Sequence, residues 1–200
     1  MIRLERLRAD HADAVLRFER ENREFFARSV PDRGDAYFAE FAARHLMLLA
    51  EQDAGICHFH LVLDGQGVLL GRVNLVDVEH GSAELGYRVG ESAAGRGVAT
   101  AAVRAVCALA AGPYGLTELT AMASLDNPAS LAVLHRTGFT ATGETVIGEK
   151  PARCFRRPLD ATEHPTGHPA EHPTGHPADH PADHPADHPA DHPAERPATG

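Results

Sequence analysis

The sequence predicts an α/β protein built on one mixed, mostly antiparallel sheet flanked by helices. Three observations point there. Short segments with the two-residue alternation of strands are interspersed with segments of helical period. Turn chemistry at Asp64-Gly65-Gln66-Gly67 and His80-Gly81 joins three consecutive strand-like segments into antiparallel hairpins. From Ala83 to Ala111 a strand runs through a glycine loop straight into a small-residue helix. In order, the elements read β-α-α-β-β-β-α-β-α-β-β, an α/β sandwich with a mixed sheet.

Each element has a local reason. Ile2 to Leu7 alternates as a strand, and Asp10 is placed to cap a helix carrying Val15, Leu16 and Phe18. Asn22 to Ala50 is helical in tone and broken by Pro31 and Gly34. The meander follows as Ile56–Leu63, Val68–Val78 and Ala83–Val89, with Leu85, Tyr87 and Val89 on one face of its last strand. The helix Val98–Ala111 is closed by Gly112-Pro113. Leu116–Ser124 reads as a strand and Pro128–Thr137 as a helix. Two terminal strands lie near Phe139–Ile147 and Arg153–Arg157.

The 200 residues are not one material. From Ala161 onward the chain repeats H-P-A-D and H-P-T-G, with His164, His168, His172, His176, His180, His184, His188 and His192. Residues 1–160 therefore read as one domain and 161–200 as a low-complexity tail. Proline at every fourth position excludes helix or central strand, so the tail is expected to be disordered, extended and solvated. In polyproline II geometry neighbouring histidines stand about 12 Å apart. One ion then bridges adjacent histidines only if the chain folds back, so a repeat-expanded spacer is the favoured reading of the tail and weak Ni²⁺ or Zn²⁺ binding the alternative. The formal charge is −9, of which the tail carries −6 and the domain −3. A domain of that charge lacks the basic footprint of a nucleic-acid binder. The three cysteines, Cys57, Cys107 and Cys154, are far apart and form no C-x-x-C pair, which argues for reduced thiols and a cytoplasmic location. The N-terminus is unlike a signal peptide, and no apolar run approaches the roughly 20 residues of a membrane span.

The chemistry concentrates in Ala83–Ala99, A-E-L-G-Y-R-V-G-E-S-A-A-G-R-G-V-A. Strand, glycine turn and helix start aim backbone N–H groups and a positive helix end at one point, the arrangement that binds phosphate. Gly95 and Gly97 lack a Cβ, so an anion can approach the main chain closely. Downstream stands L-D-N-P-A-S-L-A-V-L-H-R-T-G-F, Leu125 to Phe139. Together these segments resemble the GNAT superfamily of N-acetyltransferases, and more closely its ribosomal-protein-alanine acetyltransferase branch. Gly97 and Ala99 match the family's pyrophosphate loop, while Ala94 stands where Gln or Arg is usual. Asn127, Ser130, Val133, Leu134, Arg136, Gly138 and Phe139 match the branch's second signature. The resemblance covers about residues 1 to 158.

That resemblance implies a sheet splayed between its fourth and fifth strands, with acetyl-coenzyme A as co-substrate and no metal. The amides of Gly95, Arg96, Gly97, Val98, Ala99 and Thr100 would take the diphosphate. Arg96 either adds charge there or points to solvent. Backbone groups around Arg88 and Val89 would hold the pantetheine arm and polarise the thioester carbonyl. Asn127 would contact the cofactor, although an Asn before Pro128 is also a plain helix cap. An ammonium acceptor must lose a proton, for which Glu84 is the first candidate base and Glu149 the second. Many relatives protonate the leaving thiolate with a Tyr where this chain has Leu134; Ser130 is the remaining hydroxyl. The acceptor would be a protein N-terminus, such as that of a ribosomal protein, or a small amine, walled by Asn22–Phe26 and the helices after it. No nucleic acid or membrane partner is expected, and the chain would be a monomer or homodimer. A non-catalytic acyl-coenzyme A sensor, or a His-rich metal-binding protein, is a further reading. A dinucleotide oxidoreductase fits poorly, because Thr100 stands where a third glycine belongs and a meander precedes the loop. His58 and His60 share one strand face and read as buried or edge imidazoles, and Cys107 as core.

Overall fold

The computed structural model describes residues 1–159; the tail and the boundary expected at residue 160 lie outside the described residues. Seven strands form one sheet: β1 Ile2–Arg6, β2 His58–Asp64, β3 Leu69–Glu79, β4 Ser82–Val89, β5 Glu118–Ser124, β6 Thr140–Ile147 and β7 Lys150–Pro158. Their spatial order is β1-β2-β3-β4-β5-β7-β6. Five of the neighbouring pairs are antiparallel. Only β4 and β5 run parallel, as a strand–helix–strand connection requires. The turns behave as their residues dictate. The Asp64 carboxylate accepts from the amides of Gln66 (2.8 Å) and Val68 (2.9 Å) and folds the β2–β3 hairpin around itself. His80 and Gly81, both at positive φ, make the two-residue β3–β4 turn.

Six helices cover the sheet: α1 Ala12–Glu21, α2 Arg23–Ala27, α3 Gly34–Ala39, α4 Phe41–Asp53, α5 Val98–Ala111 and α6 Pro128–Arg136. The stretch Asn22–Ala50 is thus three helices, interrupted around Pro31 and again at Glu40. Asp10 does not cap α1. It lies in a 3₁₀ turn, Ala9–His11, where the Arg8 guanidinium engages both its carboxylate oxygens (3.0 and 3.1 Å). That charged, two-point partner holds the carboxylate away from the amides of the helix, which starts two residues later.

The two faces of the sheet have separate cores. One packs against α5 and α6 and includes Val73, Leu75, Leu85, Val103, Val106 and Leu119. The other, under α1, α3 and α4, includes Val15, Tyr37, Phe41, Leu48, Phe59 and Val76. Cys107 is fully buried in the first. The site is positioned by what β4 does between them. Strands β4 and β5 pair only at Ser82↔Glu118, Ala83↔Leu119 and Glu84↔Thr120. Beyond Glu84, β4 keeps its ladder to β3 as far as Val89, while β5 continues to Ser124 paired with β7. The fourth and fifth strands part, as expected, and they do so at Glu84.

Candidate active site

The glycine loop follows the diverging half of β4. Gly95 and Gly97 sit at φ 71° and 77°, in the left-handed region that a side chain makes costly. A Cβ placed on either would meet nothing within 4 Å, so the main chain here is open to an approaching group. Gly97 is the N-cap of α5, and among the described residues no side chain caps that helix. The first-turn amides of Val98, Ala99 and Thr100 therefore face outward at the positive end of a 14-residue helix. This donor set fits a diphosphate. The Arg96 guanidinium lies back over the preceding turn, donating to the Ser92 carbonyl at 3.2 Å.

Alternation along β4 distributes the candidate groups to opposite faces. Ala83, Leu85, Tyr87 and Val89 belong with the α5 side. Glu84 stands beside Val76 across the ladder and so shares the α1 side with Gly86 and Arg88. Glu84 is half-buried and is the last β4 residue paired with β5, at the point where the strands separate.

On the α5 side, α6 starts as its sequence suggests. The Asn127 side-chain oxygen accepts from the Ser130 amide at 3.0 Å, with Pro128 in the first turn. This bond places Ser130 facing β4, where its hydroxyl meets the Tyr87 hydroxyl at 2.9 Å. Tyr87 also reaches the Ser130 carbonyl oxygen at 3.2 Å. Burial pushes the Tyr87 phenol up to about 12, so it stays protonated at neutral pH. The pair joins α6 to β4 across the space that β5 has left.

The opposite side holds a feature that the sequence reading missed. Glu19, buried on α1, accepts from Arg72 (3.0 Å) and Arg88 (3.2 Å), and Arg33 approaches it to 4.0 Å. Arg72 and Arg88 are direct partners on β3 and β4. Like charges so placed repel, and the carboxylate between them makes the pairing tolerable. The Arg88 guanidinium also lies 4.9 Å from the Phe26 ring centroid. A shallow pocket opens beside this cluster, lined by Arg23, Phe26, Pro31, Asp32, Arg33 and Arg88 among others. Farther along, the Asn22 side-chain oxygen accepts from the Glu91 amide at 2.9 Å, tying the end of α1 to the segment after β4.

Glu149 is exposed in the turn between β6 and β7, remote in sequence and element from Glu84, although neighbouring Gly148 faces Pro31. His60 exchanges a 2.7 Å hydrogen bond with the Tyr114 hydroxyl, and His58 stacks on the Tyr114 ring at 3.7 Å. Burial pushes the Cys57 thiol up to about 11, which leaves it a poor nucleophile. Among the described residues no group of three or more His, Cys, Asp or Glu could hold a metal ion, and no helix is long and apolar enough to cross a membrane.

Residues 2–140 match the family model of the acetyltransferase (GNAT) domain. The chain belongs to the GNAT acetyltransferase family. No curated protein matches this acetyltransferase in sequence. Solved structures do match it in shape. A ribosomal-protein-S5-alanine acetyltransferase from Vibrio fischeri superposes with a TM-score of 0.74 at 19% identity, covering 80% of this chain and 93% of the other. RimL, the ribosomal L7/L12 α-N-protein acetyltransferase, solved with coenzyme A, gives 0.73 at 20% identity over 80% and 95%. A spermidine N-acetyltransferase from Vibrio cholerae, solved with coenzyme A and spermine, gives 0.67 at 16% identity over 79% and 95%. At such identities the likeness shows the fold alone.

Proposed function

We propose that this acetyltransferase moves the acetyl group of acetyl-coenzyme A to the N-terminal amine of a protein, a ribosomal protein being the model acceptor. The observation that carries the reading is the coincidence of two features: strands that separate at Glu84, and a glycine-lined helix start immediately after the separating strand. The first offers unpaired strand edge to an amide-bearing arm, and the second offers backbone donors to a diphosphate. The amides from Gly95 to Thr100 bind the diphosphate, Asn127 lies beside the arm, and the β4 backbone at Arg88 and Val89 holds the thioester carbonyl in a polarising hydrogen bond.

Acetyl transfer then needs no covalent enzyme intermediate. The amine enters on the α1 side, where Glu84, directly or through water, takes its proton; Glu149, from the hairpin turn, is the second candidate. The neutral amine attacks the carbonyl carbon. As the carbon–sulfur bond breaks, Ser130 on the α6 side supplies a proton to the thiolate. Base and acid thus act from opposite faces of β4, with the reacting carbonyl between them. The pocket by α2 and Pro31 borders the acceptor's path. Three free thiols, two of them buried, agree with the reducing cytoplasm as the place of action.

The protein-terminus reading is supported by the Asn127–Phe139 signature and by the two ribosomal-protein acetyltransferases among the structural neighbours. Purified protein is given acetyl-coenzyme A and a panel of peptides beginning with Ala, Ser or Met, alongside spermidine and simple amines. Free coenzyme A should accumulate with a subset of the peptides, and Glu84→Gln should lower kcat by about 10²-fold. Turnover restricted to polyamines would move the acceptor to the small-amine class. Binding of acetyl-coenzyme A with no turnover across the panel would make the protein an acyl-coenzyme A sensor.

A further inference from the structure

We infer that Tyr87 is a positioning residue for the acid step: its hydroxyl orients Ser130 and resupplies it with the proton that Ser130 gives to the leaving thiolate. The inference rests on the reading of Ser130 as that donor, and extends it to a residue on a different element.

The geometry is specific. Tyr87 lies three residues past the last β4–β5 pair, on the face turned to α6. A tyrosine there could fill the core with its hydroxyl directed elsewhere. Instead its single phenolic hydrogen has two acceptors on one residue, the Ser130 hydroxyl at 2.9 Å and the Ser130 carbonyl at 3.2 Å. The Ser130 side chain is held for this contact from the other direction by the Asn127 cap on its amide. Both residues are half-buried, and they stand where β4 has parted from β5.

Two acceptors for one hydrogen make a switch. With the phenol donating to the carbonyl, the serine hydroxyl is free to turn toward a sulfur. Once the serine proton has moved to the thiolate, the serine oxygen carries negative charge and becomes the far better acceptor. The phenol then delivers its hydrogen to that oxygen. The carbon–sulfur bond breaks, sulfur gains the serine proton, serine regains a proton from Tyr87, and the phenolate recovers one from solvent when the thiol leaves. Serine alone would have to carry the full charge until water reached it.

Three variants test this with acetyl-coenzyme A and an amine that the panel shows to be acetylated. Tyr87→Phe keeps the ring and removes only the hydroxyl. It should lower kcat about tenfold or more while leaving the KM for acetyl-coenzyme A and the thermal midpoint near wild type. Ser130→Ala should lower kcat further, and the double variant should be no slower than Ser130→Ala, because residues acting in one relay are not additive. The solvent deuterium isotope effect on kcat should fall in Tyr87→Phe. A kcat for Tyr87→Phe equal to wild type, a loss matched by a lower thermal midpoint and raised KM, or multiplicative losses in the double variant would each overturn the inference. Slow Ser130→Ala beside normal Tyr87→Phe would remove Tyr87 alone and leave Ser130 as the donor. Normal kcat in both, or failure of the whole panel, would remove the donor reading and the relay together.

Discussion

The two faces of β4 solve the same packing problem by different physics. Toward α5 the strand presents Ala83 and Leu85 to an aliphatic core that includes Val103, Val106 and Leu119. Toward α1 it presents Glu84 and Arg88, and there α1 is tied to the sheet by Glu19 between Arg72 and Arg88. Aliphatic packing is non-directional and tolerates volume-conserving change. A buried carboxylate joined to arginines from two strands is directional, and removing one member leaves charge stranded. The lesson concerns where each is used. The aliphatic face supports the helix that carries the glycine loop. The ionic face grips β4 over the stretch where β5 no longer pairs with it, so the strand edge that must stay unpaired for a ligand is steadied from the side.

The largest expected effect breaks the ionic face. Glu19→Ala removes the carboxylate that two buried, cross-strand arginines share and should cost about 3–5 kcal/mol of stability in denaturant unfolding. A cost under roughly 1 kcal/mol would show that the cluster does not hold α1 to the sheet.

This cluster also marks the limit of what the sequence discloses. The α5 side was legible: periodicity located its strands and α5, the His80-Gly81 pair its hairpin turn, and the Asn127-Pro128 pair the start of α6. The glycine loop followed from the motif, and a splay between the fourth and fifth strands from the resemblance it carried; that they part at Glu84 is seen only in the structure. Glu19, in contrast, pairs with residues 53 and 69 positions away, and no local spacing links them. One signal was present. Val15, Phe18 and Glu19 share the inward stripe of α1, so a carboxylate lies where an apolar residue belongs. Tyr87 was visible as an apolar-face residue, yet its hydroxyl partner could only be found once α6 was placed against β4. The Asp10 cap failed for a related reason: a nearby arginine competed for the carboxylate, and sequence spacing ranks no such competition.

A smaller effect sharpens the comparison from the aliphatic side, which has its own buried polar group. Burial, reinforced by the neighbouring charge of His58 and by Arg6, pushes the His60 imidazole down to about 4. In the unfolded chain it titrates near 6.5, so between those values the unfolded state binds more protons. The stability that neutral His60 allows is present above pH 6.5 and is lost as the pH falls toward 4, by on the order of 3 kcal/mol. His60→Gln should flatten this acid limb when the unfolding free energy is followed from pH 7 to 4. An unchanged slope would place the acid sensitivity elsewhere.

The proposed mechanism requires that the backbone between Gly95 and Thr100 hold coenzyme A. Calorimetric titration of coenzyme A into wild type and Gly97→Trp addresses this directly, because the indole occupies the space in front of the amides. Saturable binding to wild type and none to the variant, with the two proteins equally folded by circular dichroism, is the expected result. Equal affinity in both would contradict it.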